Sequence, residues 1–223
     1  MNPPSLSKRV IAEMLGTGLL VAAVVGSGIM GESLSAGNVA IALLANAIAT
    51  GAALVALILT FRPISGAHLN PLVTLGMATR KLMPWSEVTL YVGAQSVGGV
   101  MGTLLAHVMF GKELYSLSHH QRSGLAQLVS EFVAAFGLLC VIWGCLKISS
   151  ALAVPIAVAS YITAAYWFTA STSFANPAVT LARSITDTFS GIRPLDVPGF
   201  ILAQVAGAIT ATLLFRWLGC EEG

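Results

Sequence analysis

Charged side chains are scarce in this sequence, and their scarcity restricts the class of protein that it can encode. Of its 223 residues only 9% are Asp, Glu, Lys or Arg, whereas 56% are hydrophobic. Because charged residues make up about a quarter of an ordinary soluble domain, most of this chain's surface does not face water. Its net charge of +2 is also too small to indicate a nucleic-acid partner. The composition therefore predicts a membrane protein surrounded by the lipid bilayer.

Cysteine is also rare, and its pattern excludes both a disulfide framework and a metal-binding motif. The three cysteines are Cys140, Cys145 and Cys220, an odd count at spacings that fit neither arrangement. Cys140 and Cys145 lie within an apolar run, where cysteine usually packs as a small core residue. The four histidines show no metal-ligand spacing either. We therefore expect no metal, no cofactor and no enzymatic activity.

Long apolar runs dominate the chain, and they lie at residues 9–31, 39–61, 86–110, 124–147, 151–170 and 195–218. Each has about the 20 mainly apolar residues that a membrane span requires. Two further stretches, 65–80 and 171–186, are too short to cross a bilayer and indicate re-entrant segments. The sequence thus predicts an all-α membrane protein with six transmembrane helices and two re-entrant half-helices. It forms one domain over residues 1–223.

The two halves of the chain repeat each other. Residues 65–75, SGAHLNPLVTL, recur as STSFANPAVTL at residues 171–181, and Glu13 and Gln95 have counterparts in Glu131 and Gln204. Each half, approximately 1–115 and 116–223, therefore has three spans with a half-helix inserted after the second. Because three is odd, the second half must enter the membrane upside down. This is an inverted repeat, an architecture common among membrane transport proteins.

The Asn-Pro pairs of the repeat predict where the half-helices begin. Asparagine favours the N-cap of a helix and proline its first turn, so helices should begin at Asn70-Pro71 and Asn176-Pro177. In an inverted repeat the two helix N-termini meet near the bilayer midplane. Both present the positive end of a helix dipole there, and both asparagine amides can donate to a passing oxygen. Such a site repels cations and accepts neutral hydroxylic molecules.

The residues just before the two Asn-Pro pairs must be non-helical, which matters at this depth in a bilayer. Such backbone is tolerated only against protein or water. We therefore expect the backbone carbonyls to line a pore, in particular those of Gly66, Ala67, His68 and Thr172.

These motifs resemble a known family. GAHLNPLV at residues 66–73 and FANPAV at 174–179 are similar to the paired NPA boxes of the aquaporins, or major intrinsic proteins. The resemblance covers essentially the whole chain and implies a homotetramer with one pore per subunit. The first box departs from the pattern at Leu72, whereas the second keeps Ala178. Leu72 is expected to lie behind the capping asparagine and to alter only the packing there.

The resemblance also implies roles for three polar residues near the boxes. Glu13 and Glu131 are expected to be structural, accepting hydrogen bonds from the N–H groups of the two non-helical loops; a proton relay is the alternative. His68 is interpreted as a hydrogen-bonding brace of its loop, and a gate is the alternative.

The selectivity filter, which is the constriction of the pore, is where the sequence departs most from typical aquaporins. In typical members an arginine follows the second box directly, but here that position is Val179. Counting from the boxes places the other filter positions at Thr50, Ala164 and Ser173. These small and medium side chains imply a wide, uncharged and half-apolar filter. Arg183, two turns along the half-helix, is expected near the outer surface and not as a replacement for the missing arginine.

Valine in place of the filter arginine resembles bacterial aquaglyceroporins associated with arsenic resistance. The resemblance implies a passive channel for water and small neutral solutes, including glycerol-like polyols, arsenous acid and methylated arsenicals. A water-selective aquaporin and a plain glycerol facilitator are the alternatives within the family. Outside it, a secondary transporter coupled through Glu13 or Glu131, or a non-conducting scaffold, would also fit the composition.

The distribution of positive charge predicts an orientation. With the N-terminus in the cytoplasm, most of the 11 Lys and Arg residues fall on the cytoplasmic side, as the positive-inside rule requires. Six spans return the C-terminus to the same side. We therefore expect a multi-pass protein of a bacterial inner membrane with both termini cytoplasmic.

Overall fold

A computed structural model describes residues 4–219, and within that range the regular structure is entirely helical. The helices are α1 (Leu6–Leu34), α2 (Val39–Ser65), α3 (Pro71–Thr79), α4 (Trp85–Met109), α5 (Leu125–Cys145), α6 (Ala153–Phe168), α7 (Pro177–Ala182) and α8 (Val197–Trp217). Short 3₁₀ turns, Arg183–Ile185 and Pro194–Asp196, precede α8. Cys220, one of the three cysteines, lies outside the described residues.

Helix length separates the spans from the half-helices. The segments containing α1, α2, α4, α5 and α8 are each long and apolar enough to cross a membrane. The sixth, α6, has 16 residues, or about 24 Å at 1.5 Å per residue, against about 30 Å of hydrocarbon. The re-entrant helices are shorter still, with nine residues in α3 and six in α7. The predicted all-α architecture is confirmed.

One helix boundary differs from expectation. The second apolar run was placed at residues 39–61, but α2 continues through Pro63 to Ser65. Proline removes only one N–H from a helix, and the last turn tolerates this loss. The helix ends instead at Gly66, whose φ of 91° gives the left-handed C-cap that glycine adopts without a steric penalty.

The inverted repeat is visible in the packing of equivalent helices. Helix α1 lies against α4 in the first half, and α5 lies against α8 in the second. Both contacts depend on glycine, since a Cβ atom at Gly98 would lie 2.1 Å from the Met14 carbonyl oxygen. A Cβ atom at Gly207 would lie 2.3 Å from the Phe132 carbonyl oxygen in the equivalent contact. Small residues allow this close approach of two membrane helices.

Two names describe the ends of this bundle. The terminal face is the end at which α1 begins, near Leu6, and α8 ends, near Trp217. The loop face is the opposite end, with segments 110–124 and 183–196. These two segments join through backbone hydrogen bonds, including Ser118 N–H to the Ser184 carbonyl at 3.0 Å and Arg193 N–H to the His120 carbonyl at 2.7 Å.

Candidate pore and filter

The two Asn-Pro boxes meet at the centre of the molecule and interlock. The Asn70 Oδ1 atom accepts from Leu72 N–H at 2.9 Å, and Asn176 Oδ1 accepts from Ala178 N–H at 3.0 Å, so each asparagine caps its half-helix. The amide nitrogens reach across the repeat. Asn70 Nδ2 donates to the Ala175 carbonyl at 2.8 Å, and Asn176 Nδ2 donates to the Leu69 carbonyl at 2.8 Å. One hydrogen of each amide remains for another acceptor.

Two buried glutamates hold the loops that precede the boxes. Glu13 accepts from the N–H groups of His68 and Leu69 at 2.9 and 2.7 Å. Glu131 accepts from the equivalent N–H groups of Phe174 and Ala175, both at 2.9 Å. Each carboxylate thereby satisfies two backbone donors that no helix could satisfy. This is the structural arrangement that the resemblance implied.

A glutamine and a threonine complete each glutamate cluster. Gln95 Nε2 donates to Glu13 at 2.8 Å and to Thr74 Oγ1 at 3.0 Å. In the second half, Gln204 Nε2 donates to Glu131 at 2.6 Å and to Thr180 Oγ1 at 2.9 Å. The glutamines were matched from the sequence, but the threonines were not singled out. The sequence feature that could have identified them is their identical position in the repeated Asn-Pro motif.

The loops held by these clusters have an unusual backbone. Ala67 and Leu69 have φ angles of 50° and 48°, and their counterparts Ser173 and Ala175 have 52° and 46°. Left-handed conformations cost energy for residues other than glycine and persist where the surroundings enforce them. The glutamate hydrogen bonds provide that enforcement. Both loops are thus fixed in the same non-helical form, with carbonyl groups free of helical hydrogen bonding.

A cavity of about 110 Å³ lies between the helices at the centre of the molecule. On the terminal-face side, it is lined by Arg62, Met77, Leu146 and Val154. Both box asparagines line its middle. Most of the remaining wall is aliphatic. Besides the boxes and loops, its hydrogen-bonding side chains are Thr50, Arg62, Tyr166 and Arg183.

The predicted loop residues reach this cavity unequally. Gly66, Ala67 and His68 all line it. Thr172 does not belong to the lining; Ser173, Phe174 and Ala175 take that position in the second half. The prediction for Thr172 is therefore corrected by one residue. His68 Nδ1 lies 3.1 Å from Thr74 Oγ1, a hydrogen bond that braces the loop as interpreted from the sequence.

Box residues behind the asparagines face away from the cavity. Pro71 and Leu72 are buried, and Leu72 contributes to a separate groove beside α8. Pro177 begins α7, and Ala178 packs against Gly99 of α4, where an added Cβ would lie 3.2 Å from the Ala178 carbonyl oxygen. The departure at Leu72 therefore affects packing and not the lining of the cavity.

Three of the four predicted filter residues line the cavity, and one does not. Thr50, Ser173 and Val179 are buried in its wall. Ala164 lies on the exposed side of α6, and the prediction for it is corrected: Ile162 and Tyr166 of that helix face the cavity instead. Counting back from the box misplaced the residue because a shift of two positions rotates a side chain by about 200° around a helix. The Tyr166 hydroxyl lies 3.2 Å from Thr50 Oγ1.

Arg183 also differs from its predicted place. It is only 2% exposed and lines the cavity. Its guanidinium carbon lies 3.4 Å from the centroid of the Phe174 ring, and its Nε atom donates to the Ser190 carbonyl. The expectation that Arg183 lies near the outer surface is wrong, and its charged side chain lines the cavity. The sequence feature that could have predicted this is its position four residues after Val179, which places both residues on the same helix face.

The loop face carries a second arginine close to the same ring. The Arg122 guanidinium carbon lies 5.0 Å from the Phe174 centroid, and its Nε atom donates to the Gly191 carbonyl at 2.8 Å. Burial lowers the pKa of Arg122, since it removes water from the charged form. Further out, hydrogen bonds from His119 lower the pKa of the Asp187 carboxyl.

Comparisons with known proteins agree with this geometry. The sequence pattern of the major intrinsic protein family matches residues 1–147 and 143–221. The chain is 55% identical over 218 residues to aquaglyceroporin AqpS of Rhizobium meliloti (strain 1021), covering 98% of this chain and 93% of that protein. It is 29% identical to aquaporin NIP1-1 of Oryza sativa subsp. japonica, with coverage of 94% and 73%. The structure of the aquaglyceroporin from Plasmodium falciparum has the same fold, with a TM-score of 0.78, 19% identity and coverage of 97% and 98%.

A helical bundle with two interlocked re-entrant half-helices around a central cavity defines an aquaglyceroporin-type membrane channel. The chain belongs to the major intrinsic protein family. The predicted recognition and fold are thereby confirmed.

Proposed function

We propose that this protein is a passive channel for water and small neutral polyhydroxylated solutes, including glycerol and arsenous acid. The observation that supports it most strongly is the pair of asparagines in the middle of a mainly aliphatic cavity, each hydrogen-bonded to the loop of the other half. Each amide keeps one N–H for a solute oxygen, whereas the apolar wall offers no ion a replacement for its hydration shell. Neutral molecules with several hydroxyl groups satisfy both requirements.

Arsenous acid belongs to this class because it is neutral near pH 7 and resembles glycerol in size and hydrogen bonding. Val179 supports its passage, since valine leaves more room beside the second box than a long arginine would. The 55% identity to a protein named as an aquaglyceroporin supports the wider solute range. Methylated arsenicals with one or more hydroxyl groups belong to the same range.

A water-selective channel is the second candidate. Tyr166 and Arg183 line the same cavity as Val179 and make its wall bulkier than the sequence predicted. A narrow passage would admit water and exclude glycerol. The alternative of a secondary transporter finds less support, since both oxygens of Glu13 and of Glu131 are already committed to hydrogen bonds with the protein.

The assembly and orientation belong to the same proposal. We propose one channel unit over residues 1–223, a homotetramer, and a bacterial inner-membrane location with both termini cytoplasmic. Exposed apolar residues on the outer surfaces of α1 and α2, such as Leu15, Leu19, Ile41 and Ile48, suit contact with lipid or another subunit. Native mass spectrometry in detergent tests the subunit number, and protease accessibility of terminal tags tests the orientation.

The test of the solute range uses purified protein in vesicles and stopped-flow light scattering. Vesicles shrink when an impermeant osmolyte is added and swell again as a permeant solute enters. We expect water, glycerol and arsenous acid to cross faster than in matched empty vesicles. Rapid water flow with glycerol and arsenous acid at the empty-vesicle rate would favour the water-selective candidate. Solute and water rates equal to those of empty vesicles would overturn the proposal.

A further inference from the structure

We propose that Arg183 is a specificity-determining residue of this channel and supplies the fixed positive charge that position 179 lacks. Arg183 follows Val179 by four residues, and both residues line the cavity. Long side chains on a helix point back toward its N-terminus, so the Arg183 side chain leans from the loop face toward the boxes. The short Val179 side chain leaves the space into which the guanidinium extends.

The structure holds this guanidinium firmly in one place. One of its faces stacks on Phe174, with 3.4 Å between the guanidinium carbon and the ring centroid. Phe174 in turn packs edge-on against Phe200 of α8, at 5.3 Å between centroids. The hydrogen bond from Nε to the Ser190 carbonyl fixes the second direction. A charge held in this way acts on a passing solute without first having to be ordered.

No carboxylate within residues 4–219 forms an ion pair with Arg183. The ion pairs in that range are Arg9–Glu87, His119–Asp187 and Arg193–Asp196. Glu131 acts on Arg183 through space without contacting it, and its oxygens accept from the loop N–H groups and from Gln204. Arg122 adds a second positive charge beside Phe174. The loop-face side of the cavity is therefore electropositive.

Other residues that line the same cavity have a complementary character. Thr50 and Tyr166 present hydroxyl groups that donate or accept, whereas Ile162 and Val179 present apolar surface. The terminal nitrogens of Arg183 make no hydrogen bond to the protein in residues 4–219, where Nε is the donor used. These nitrogens can donate to a solute. A small neutral molecule with several hydroxyl groups fits donors on one side, hydroxyls on another and an apolar wall.

The charge also adds a second barrier to cations. The asparagine boxes provide the first, but α7 has only six residues and sums few peptide dipoles. Arg183 lies seven residues after Asn176, about 10 Å at 1.5 Å per residue. A unit charge several Å from a cation in a narrow passage repels it by about 1 kcal/mol or more. The two barriers act in series on any cation or hydrated proton.

The inference rests on the proposed channel function and is tested by replacing the charge. We compare Arg183→Met with Lys112→Met, because Lys112 is an exposed cation on the same loop face and outside the cavity. Proton entry is followed with an internal pH-sensitive dye under an imposed membrane potential, and water flow by light scattering. We expect about a tenfold or greater rise in proton leak per unit of water flow for Arg183→Met. Lys112→Met should behave as the native protein does.

Two further variants separate charge from structure. Arg183→Lys keeps the charge and should keep the leak low. In the exchange variant Val179→Arg with Arg183→Val, the charge moves next to the box; the leak should again be low while glycerol flux falls. If Arg183→Met does not fold, Arg183→Gln replaces it, because its amide can still donate to the Ser190 carbonyl.

A neutral variant with native water flow and a native proton leak would overturn the role of Arg183. So would an exchange variant that leaks as much as the neutral one. These results are distinct from failure of the proposed function, which appears as native glycerol and arsenous acid fluxes no faster than those of empty vesicles.

Discussion

At the scale of single residues, Asn70 and Asn176 each combine two tasks in one amide. The oxygen caps a half-helix, and one N–H ties that half-helix to the loop of the other repeat. The remaining N–H faces the cavity. The stability of the centre and its ability to receive a solute therefore depend on the same atoms.

Replacing Asn70 or Asn176 by alanine should lower both stability and flux. Loss of the cap lowers the free energy of unfolding by about 1 kcal/mol, and loss of the hydrogen bond to the other half's loop lowers it by about another 1 kcal/mol. Thermal unfolding in detergent would detect both. Asn38→Ala is the matched control, because Asn38 caps α2 through Ala40 and Ile41 far from the boxes. It should lose stability but keep native flux per folded protein. A double variant of the box asparagines with native flux would contradict the assignment.

Val179→Arg tests the width of the filter. The new side chain would narrow the cavity and place a second guanidinium one turn from Arg183, where like charges repel. We expect glycerol and arsenous acid fluxes to fall by roughly tenfold, equivalent to about 1.4 kcal/mol of added barrier, and water flux to fall less. Val179→Met adds length without charge and separates the two effects. Unchanged glycerol flux in Val179→Arg would remove residue 179 from the constriction.

The boxes could be predicted from sequence because their signal is local and occurs twice. An Asn-Pro pair carries its own capping chemistry, and its repetition predicts the inverted architecture. The wall of the filter could not be predicted in the same way. Whether Ala164 or Tyr166 faces the cavity depends on the rotation of α6, and the burial of Arg183 depends on the ring of Phe174. Both are tertiary relations that spacing along the chain does not encode.

At the scale of elements, glycine contacts set the distance between helices and so the shape of the cavity. Gly98 and Gly102 of α4 lie against backbone oxygens of α1, each with only 2.1 Å to an added Cβ. Small residues at these positions allow the two helices to approach closely. Since these helices also carry Glu13 and Gln95, their separation would disturb the loop before the first box.

Gly98→Ala should destabilise the protein, because the added methyl group must push α1 and α4 apart. Overpacking of this kind typically costs about 1–3 kcal/mol. Gly93→Ala is the control in the same helix, since a Cβ atom there meets nothing within 4 Å. Alanine is also the better helix former by about 1 kcal/mol, so Gly93→Ala should be neutral or stabilising. Equal melting temperatures for the two variants would contradict the packing argument.

At the scale of the whole molecule, the inverted repeat gives one scaffold and two unlike ends. The clusters around Glu13 and Glu131 are nearly identical, yet His68 of the first loop corresponds to Phe174 of the second. His68 hydrogen-bonds to Thr74, whereas Phe174 supports Arg183. The duplicated parts hold the two loops and half-helices in place, and under the proposed function the parts that differ determine which solutes pass. Sequence comparison of the halves identifies the scaffold but not the contacts that the differing residues make.

The central claim is passive conduction, and the dependence of glycerol flux on concentration tests it most directly. The measurement uses reconstituted vesicles without any ion gradient, with glycerol supplied from either side. A channel with no tight solute site should give a flux that rises in proportion to concentration and is equal in both directions. Flux that saturates at low glycerol concentration, or that requires a proton or sodium gradient, would contradict the account and favour a coupled transporter.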